Sequence, residues 1–223
     1  MTINNLYALL VGINEYDSRS KISPLKGCIN DIYAMSEYLK GRTKVSTHIR
    51  VLIDAQATRA AIISGFKEHL CQATSDDIVL FYYAGHGAQA NAPEEFWPTT
   101  PSRILETLVC YDSRIDEDHW DLADKELAYL IAEVDKQNPH ITIILDCCHS
   151  GSGTRDTDFC VRGMNLDTRK RPLNSFIFYS DHDMLNTSKN RGLDVIPSVL
   201  KVPVGRHIVF SACLDQEKAK EQN

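Results

Sequence analysis

The chain has 223 residues, 43% of them hydrophobic, and a formal net charge of −6 from 24 Lys and Arg against 30 Asp and Glu. That length suits one large domain or two small ones with an ordinary core. No basic stripe follows a nucleic-acid backbone, and no apolar run approaches the roughly 20 residues that span a bilayer, so neither nucleic acid nor membrane is an expected partner. Met1 to Asn5 lacks the cationic and apolar pattern of a secretory leader. Seven cysteines are present: Cys28, Cys71, Cys110, Cys147, Cys148, Cys160 and Cys213. An odd count with two adjacent members makes a poor disulfide framework, and no pair has the spacing of a zinc site. Reduced thiols in a cytoplasmic setting fit better.

In chain order, Leu6 to Ile13 is a short apolar run ending at Asn14 and reads as a buried strand. Cys28 to Lys40 carries Ile32, Met35 and Leu39 at helical spacing, and Gly41 is placed to cap that helix. His48 to Ile53 is a second strand. Thr58 is a candidate N-cap for a helix whose Ile62, Phe66 and Leu70 share one face. Asp77 to Gly85 is continuous, aromatic and β-branched, as a central strand covered on both faces should be. After a loop with Pro93, Pro98 and Pro101 comes a short apolar stretch, Leu108 to Tyr111. Leu127, Leu130, Ile131 and Val134 mark a third helix, and His140–Asp146 and Ile208–Cys213 are the last strands.

Strands alternating with amphipathic helices predict an α/β architecture with a mostly parallel sheet. Residues 152–205 interrupt the rhythm as a long polar connection, of the kind that is commonly functional. It is read as an insertion or processing loop within one domain, because the strand after it would complete the same sheet.

Two strands end in reactive groups, Tyr83-Ala84-Gly85-His86-Gly87 and Leu145-Asp146-Cys147-Cys148-His149-Ser150-Gly151. In an open α/β sheet, ligands collect at the carboxyl ends of the strands, so His86 and Cys148 belong on one edge. There they can form a nucleophile and base. A free thiol is mostly protonated at neutral pH, and an imidazole can accept its proton and pass it to a leaving amine. The amides of Gly87 and Cys148 are the candidate donors to a developing oxyanion. Taken alone, each motif is more often a turn or a packed thiol; their pairing at equivalent strand ends makes the chemical reading. Cys147 points oppositely and is expected to pack in the sheet.

Together, Val11-Gly12-Ile13-Asn14, Gly27-Cys28-Ile29-Asn30-Asp31, Tyr83-Ala84-Gly85-His86-Gly87 and Asp146-Cys147-Cys148-His149-Ser150-Gly151 resemble the caspase-fold cysteine peptidases, metacaspases and their bacterial relatives in particular. The resemblance runs from about Leu6 to Cys213. It implies a caspase-like three-layer sandwich, with Cys148 as nucleophile and His86 as its partner. It also implies a protein or peptide substrate cut after Arg or Lys, with Asp31 and Asp146 receiving the cationic side chain. Two carboxylates on one pocket would favour a cation, since an uncompensated buried charge is expensive; the alternatives are a helix cap for Asp31 and a turn-former for Asp146. Ala84 stands where many metacaspases have Ser, which leaves Arg versus Lys open.

Many metacaspases need calcium. Asp112, Asp121, Asp124 and Asp156 are candidates, but Lys125 opposes a divalent cation, so no cofactor is expected. Autocleavage would fall after Arg169 or Lys170 in Thr168-Arg169-Lys170-Arg171-Pro172, with Arg155 a further candidate; the alternative is a solvated basic loop. The resemblance further implies a C-terminal small-subunit portion as a partner beyond residues 1–223. Two other readings remain: an inactive caspase-like scaffold, and a protease that prefers Asp before the cut bond.

Overall fold

The computed structural model describes residues 3–42, 44–148, 159–180, 202–212 and 220–222. Its centre is a parallel sheet of five strands. These are β1 (Asn5–Gly12), β2 (Ser46–Ile53), β3 (Ile78–Ala84), β7 (His140–Asp146) and β9 (Ile208–Ser211), in the order β2-β1-β3-β7-β9. β1 and β3 lie inside the sheet, and their residues are buried on both sides. That is why neither sequence alternates between apolar and polar.

The two faces have different covers. Ala8, Leu10, Tyr82 and Ala84 pack against Cys28, Ile32 and Leu39 of α1 (Cys28–Arg42). The glycine at Gly12 lets that helix press close, because a Cβ there would lie 2.6 Å from Ile32 Cγ1 and 3.0 Å from the Cys28 carbonyl. On the other face, Leu9, Val11, Val79, Phe81 and Tyr83 meet Ile62, Phe66 and Leu70 and also Leu127, Leu130, Ile131 and Val134. This is the α/β architecture that the alternating pattern predicts, in the three-layer form that the resemblance implies.

Local signals account for most boundaries. Thr58 caps α2 (Arg59–Ser64), its hydroxyl accepting from the Ala61 N–H at 3.2 Å. The coil continues through wider and then tighter turns to Gln72, and Ile62, Phe66 and Leu70 all stay buried on one face. Gly41 does not end α1, which runs on to Arg42; nothing lies within 4 Å of where its Cβ would be, so the position is indifferent to a side chain. Cys213 lies outside the described residues, and β9 ends at Ser211. Ile208, Val209 and Phe210 of this edge strand are exposed.

The stretch after His86 is not a plain loop. It forms an antiparallel sheet of β4 (Gly87–Asn91), β5 (Ile104–Leu108) and β6 (Leu122–Ala123). α3 (Asp124–Asp135) follows directly. Further on come β8 (Phe159–Val161), the short helix α4 (Ile177–Ser180), and β10 (Lys220–Gln222), which pairs antiparallel with β8.

Residues 171–178 of the long connection are bound to α3 through one buried carboxylate. Glu126 is fully buried; its Oε2 accepts from the Ala123 N–H at 3.0 Å, as in half a capping box. Its Oε1 accepts from Arg171 at 2.8 Å, from the Ile177 N–H at 3.1 Å and from Arg59. Arg171 also stacks 3.8 Å over the Phe176 ring. Glu126→Ala would strand the buried Arg171 guanidinium, and removing one partner of a buried pair costs about 3–5 kcal/mol. Urea denaturation of the variant should show a loss of about that size; a loss under about 1 kcal/mol would mean the pair is solvated, as surface ion pairs are.

Candidate active site

β3 and β7 are parallel neighbours and end level, with Ala84 opposite Asp146. His86 and Cys148 each lie two residues past that last pair, although 62 positions separate them in sequence. Both are buried. Cys147 is buried in the large core cluster, as its opposite orientation predicts. The five cysteine side chains that are described, Cys28, Cys71, Cys110, Cys147 and Cys148, form no disulfide with one another.

His86 is held from several directions. Its N–H donates to the Tyr16 hydroxyl at 2.8 Å, and its carbonyl accepts from the Val109 N–H at 3.0 Å. The Tyr83 hydroxyl lies 2.7 Å from that same carbonyl and 2.8 Å from the Val109 carbonyl. Burial pushes the Tyr16 and Tyr83 hydroxyls well above their ordinary pKa, so both remain neutral. Gly85 must be glycine here, since a Cβ would stand 2.5 Å from the Tyr83 hydroxyl oxygen.

The imidazole Nε2 sits 2.9 Å from the Ser23 carbonyl. A carbonyl only accepts, so Nε2 carries the proton and Nδ1 is the basic nitrogen. Tyr16 and Ser23 both come from the connection between β1 and α1, which Asn14 organises. The Asn14 side chain donates to the Lys26 carbonyl at 3.0 Å and its own carbonyl accepts from Leu25 at 2.8 Å, while Asp54 accepts from the Asn14 and Glu15 amides.

The amides of Gly87 and Cys148 converge on one oxygen, the carbonyl of Arg162, at 3.0 and 2.9 Å. The Arg162 side chain turns into the sheet edge and is almost fully buried. Its Nη2 donates to Asp31 at 2.7 Å, and its Nη1 lies 2.5 Å from Asp146. Thus Asp31 and Asp146, from α1 and β7, close on a single guanidinium. Tyr82 lines the same place, its hydroxyl 3.5 Å from Asp146. Burial, then Asp146 and Asp31, raises the Tyr82 pKa, which keeps it a neutral donor. Burial works against the Arg162 charge, but Cys28, Asp31 and Asp146 outweigh it and leave the guanidinium held more firmly protonated than usual.

Arg169, Lys170 and the acidic candidates for calcium lie elsewhere. Arg169 is forked onto Asp167 at 2.7 Å, donates to the Asp116 and His119 carbonyls, and stacks 4.4 Å over Trp120. Lys170 is exposed beside Pro172 and Leu173. Asp112 accepts from the Arg59 amide, Asp121 pairs with Arg114, and Asp124 pairs with Lys125. Among the described residues, no three carboxylates, histidines or cysteines gather to hold a metal ion. His149, Ser150, Arg155 and Asp156 lie outside the described residues. Among the described residues, no helix is long and apolar enough to cross a membrane.

A family model described as metacaspase, peptidase C14 domain matches residues 7–155, two thirds of the chain. The chain belongs to the metacaspase family. Metacaspase III c from Phaeodactylum tricornutum is 30% identical over 155 residues, spanning 65% of this chain and 42% of that protein. Metacaspase-1A from Aspergillus terreus is 30% identical over 152 residues, spanning 65% and 36%. The matched region thus covers less than half the length of these curated metacaspases. Among solved structures, protein GSU0716 from Geobacter sulfurreducens superposes with a TM-score of 0.61 at 21% identity, covering 96% of this chain and 75% of that one. That likeness supports the caspase-like α/β fold.

Arg162, Tyr82, Tyr16 and Ser23 are the site residues that sequence reasoning missed. The first has a faint signal: a lone arginine in the extended, apolar run Phe159-Cys160-Val161-Arg162-Gly163. The denser basic cluster at 169–171 draws attention away from it. Tyr16→Phe would leave the buried His86 N–H without its acceptor, at a cost of about 1–3 kcal/mol. Urea denaturation should show this loss; unchanged stability would mean that another group takes the Tyr16 role.

Proposed function

We propose that this metacaspase is a cysteine endopeptidase that cuts after Arg or Lys, with Cys148 as nucleophile and His86 as general base. The observation that carries the reading is Arg162, whose guanidinium lies between Asp31 and Asp146 while its carbonyl takes the Gly87 and Cys148 amides. A substrate residue with the same chemistry fits the same contacts. The neutral Nδ1 of His86 would take the thiol proton, since the thiolate is the attacking form. As the carbonyl carbon becomes tetrahedral its oxygen gains negative charge, and two fixed N–H donors stabilise that state more than the ground state. His86 would then return the proton to the departing amine.

Specificity follows from charge. Asp31 and Asp146 would favour a cation in the pocket and repel an aspartate, and a wrong partner leaves two half-buried carboxylates unpaired. The longer reach and two-pronged geometry of a guanidinium suit two acids better than a single ammonium does. Calcium independence is part of the proposal, supported by Lys125 pairing with Asp124 at 3.3 Å.

The test is hydrolysis of fluorogenic peptides ending in Arg, Lys or Asp, by the full-length protein with calcium and with chelator. Turnover after Arg and Lys should vanish in Cys148→Ala and be unchanged by chelator. Asp31→Asn and Asp146→Asn should each lower kcat/KM for Arg about 10–100-fold, the range for losing a hydrogen bond to a charged group. Cleavage after Asp, or Arg turnover indifferent to both substitutions, would overturn the assigned pocket. No turnover even after trial proteolysis would favour a scaffold.

A further inference from the structure

The acid-lined pocket has a third polar wall. Tyr82 stands two residues before Ala84 on β3, and residues at that interval share one face of a strand. In the register with β7, Tyr82 is opposite Ile144 and Ala84 opposite Asp146, so Asp146 lies on that face too. α1 covers the face and brings Asp31 to it. Two residues of strand rise about 6.6 Å, a gap that a tyrosine side chain spans. Its hydroxyl comes 3.5 Å from Asp146 Oδ2, the same oxygen that meets Arg162 Nη1. Only 7% of Tyr82 is exposed, and its ring belongs to the cluster that includes Leu10, Cys28 and Ile32. The ring is fixed by packing, and the hydroxyl is fixed with it.

We infer that Tyr82 is a specificity-determining residue of this pocket: its hydroxyl is the third acceptor, beside Asp31 and Asp146, and it is the group that admits a lysine as well as an arginine. That role rests on the proposed peptidase reading and names what decides between the two basic residues.

A guanidinium is planar and forked, and Arg162 shows how these acids hold one, with Nη2 on Asp31 at 2.7 Å and Nη1 against Asp146. An arginine thus meets two acids with two prongs. A lysine ends where arginine has its central guanidinium carbon, one bond short of those nitrogens. Its ammonium carries three donors spread about a tetrahedron. Two acids leave one donor over, and a donor kept from water without an acceptor weakens binding. The Tyr82 hydroxyl is placed to take it. Burial, Asp146 and Asp31 raise the phenol's pKa, so it stays protonated. With its one hydrogen given to Asp146, its lone pairs remain for the incoming charge. Being neutral, it adds an acceptor without a third charge, and the preference for cations stays with the two acids.

The experiment measures kcat and KM of the full-length protein, before and after trial proteolysis, on matched peptides ending in Arg or Lys. Wild type is compared with Tyr82→Phe, which keeps the ring in its packing and removes only the hydroxyl. Turnover of the Arg peptide by the variant reports that the site is intact. In Tyr82→Phe, kcat/KM for Lys is expected to fall about tenfold, mainly through KM, and kcat/KM for Arg by less than about threefold. A hydroxyl that merely steadied Asp146 would move both substrates alike. An Arg-to-Lys ratio within about twofold of wild type would therefore overturn the inference and leave the peptidase reading standing, whether both peptides slow or neither does. Abolition of both activities in the variant would overturn it too, as would a wild type that cuts after Arg and never after Lys. A wild type that turns over neither peptide would overturn the peptidase reading itself, and this role of Tyr82 with it.

Discussion

A guanidinium taken out of water has to meet carboxylates, and the arrangement of this sheet edge turns on that requirement. Asp31 arrives on the first turn of α1, Asp146 at the end of β7, and Arg162 from a connection with no place in the central sheet. Once the charge is matched, the backbone of Arg162 has little choice of position. Its carbonyl falls on two amides whose spacing is set by the register of β3 against β7. A rigid parallel sheet thus supplies the geometry, and one ion cluster around a buried guanidinium fixes which residue lies there.

The second constraint is the immobility of His86. Its backbone and its ring are tied to separate parts of the chain, namely Tyr16 and Ser23 from the connection after β1, and Val109 after β5. The proposed base is therefore oriented by neutral groups: two tyrosine hydroxyls held protonated by burial, and a backbone carbonyl. Carbonyl contact at Nε2 assigns the proton there and leaves Nδ1 as the nitrogen of the proposed base. The close approach of Tyr83 to Gly85 explains why the short link between β3 and the histidine has no room for a side chain.

The parallel core was legible because its inner strands β1 and β3 are continuous apolar runs and its helices keep their apolar residues at helical spacing. The strand-end positions of His86 and Cys148 followed from that, as did the candidate roles of Asp31 and Asp146. The small β4–β5–β6 sheet was not legible: Gly87-Ala88-Gln89-Ala90-Asn91 has weak strand propensity, and only pairing with Ile104–Leu108 makes it a strand. Arg162 was hidden for a related reason. Its partners lie 131 and 16 positions away, and a contact of that kind leaves no periodic trace. Basic residues 169–171 stood out as a cluster, yet Arg169 and Arg171 serve as internal struts, each engaged by a nearby acid.

The most direct measurement is covalent labelling of Arg162→Ala protein, its pocket vacated, with peptidyl chloromethyl ketones that end in arginine or aspartate. Peptide mapping is expected to find the adduct on Cys148, with the arginyl reagent at least about tenfold faster, a difference of roughly 1.4 kcal/mol, and with that advantage lost in the further variant Asp146→Asn. An adduct on another cysteine, or equal rates for the two reagents, would contradict the proposal that this acid-lined edge delivers a basic residue to Cys148.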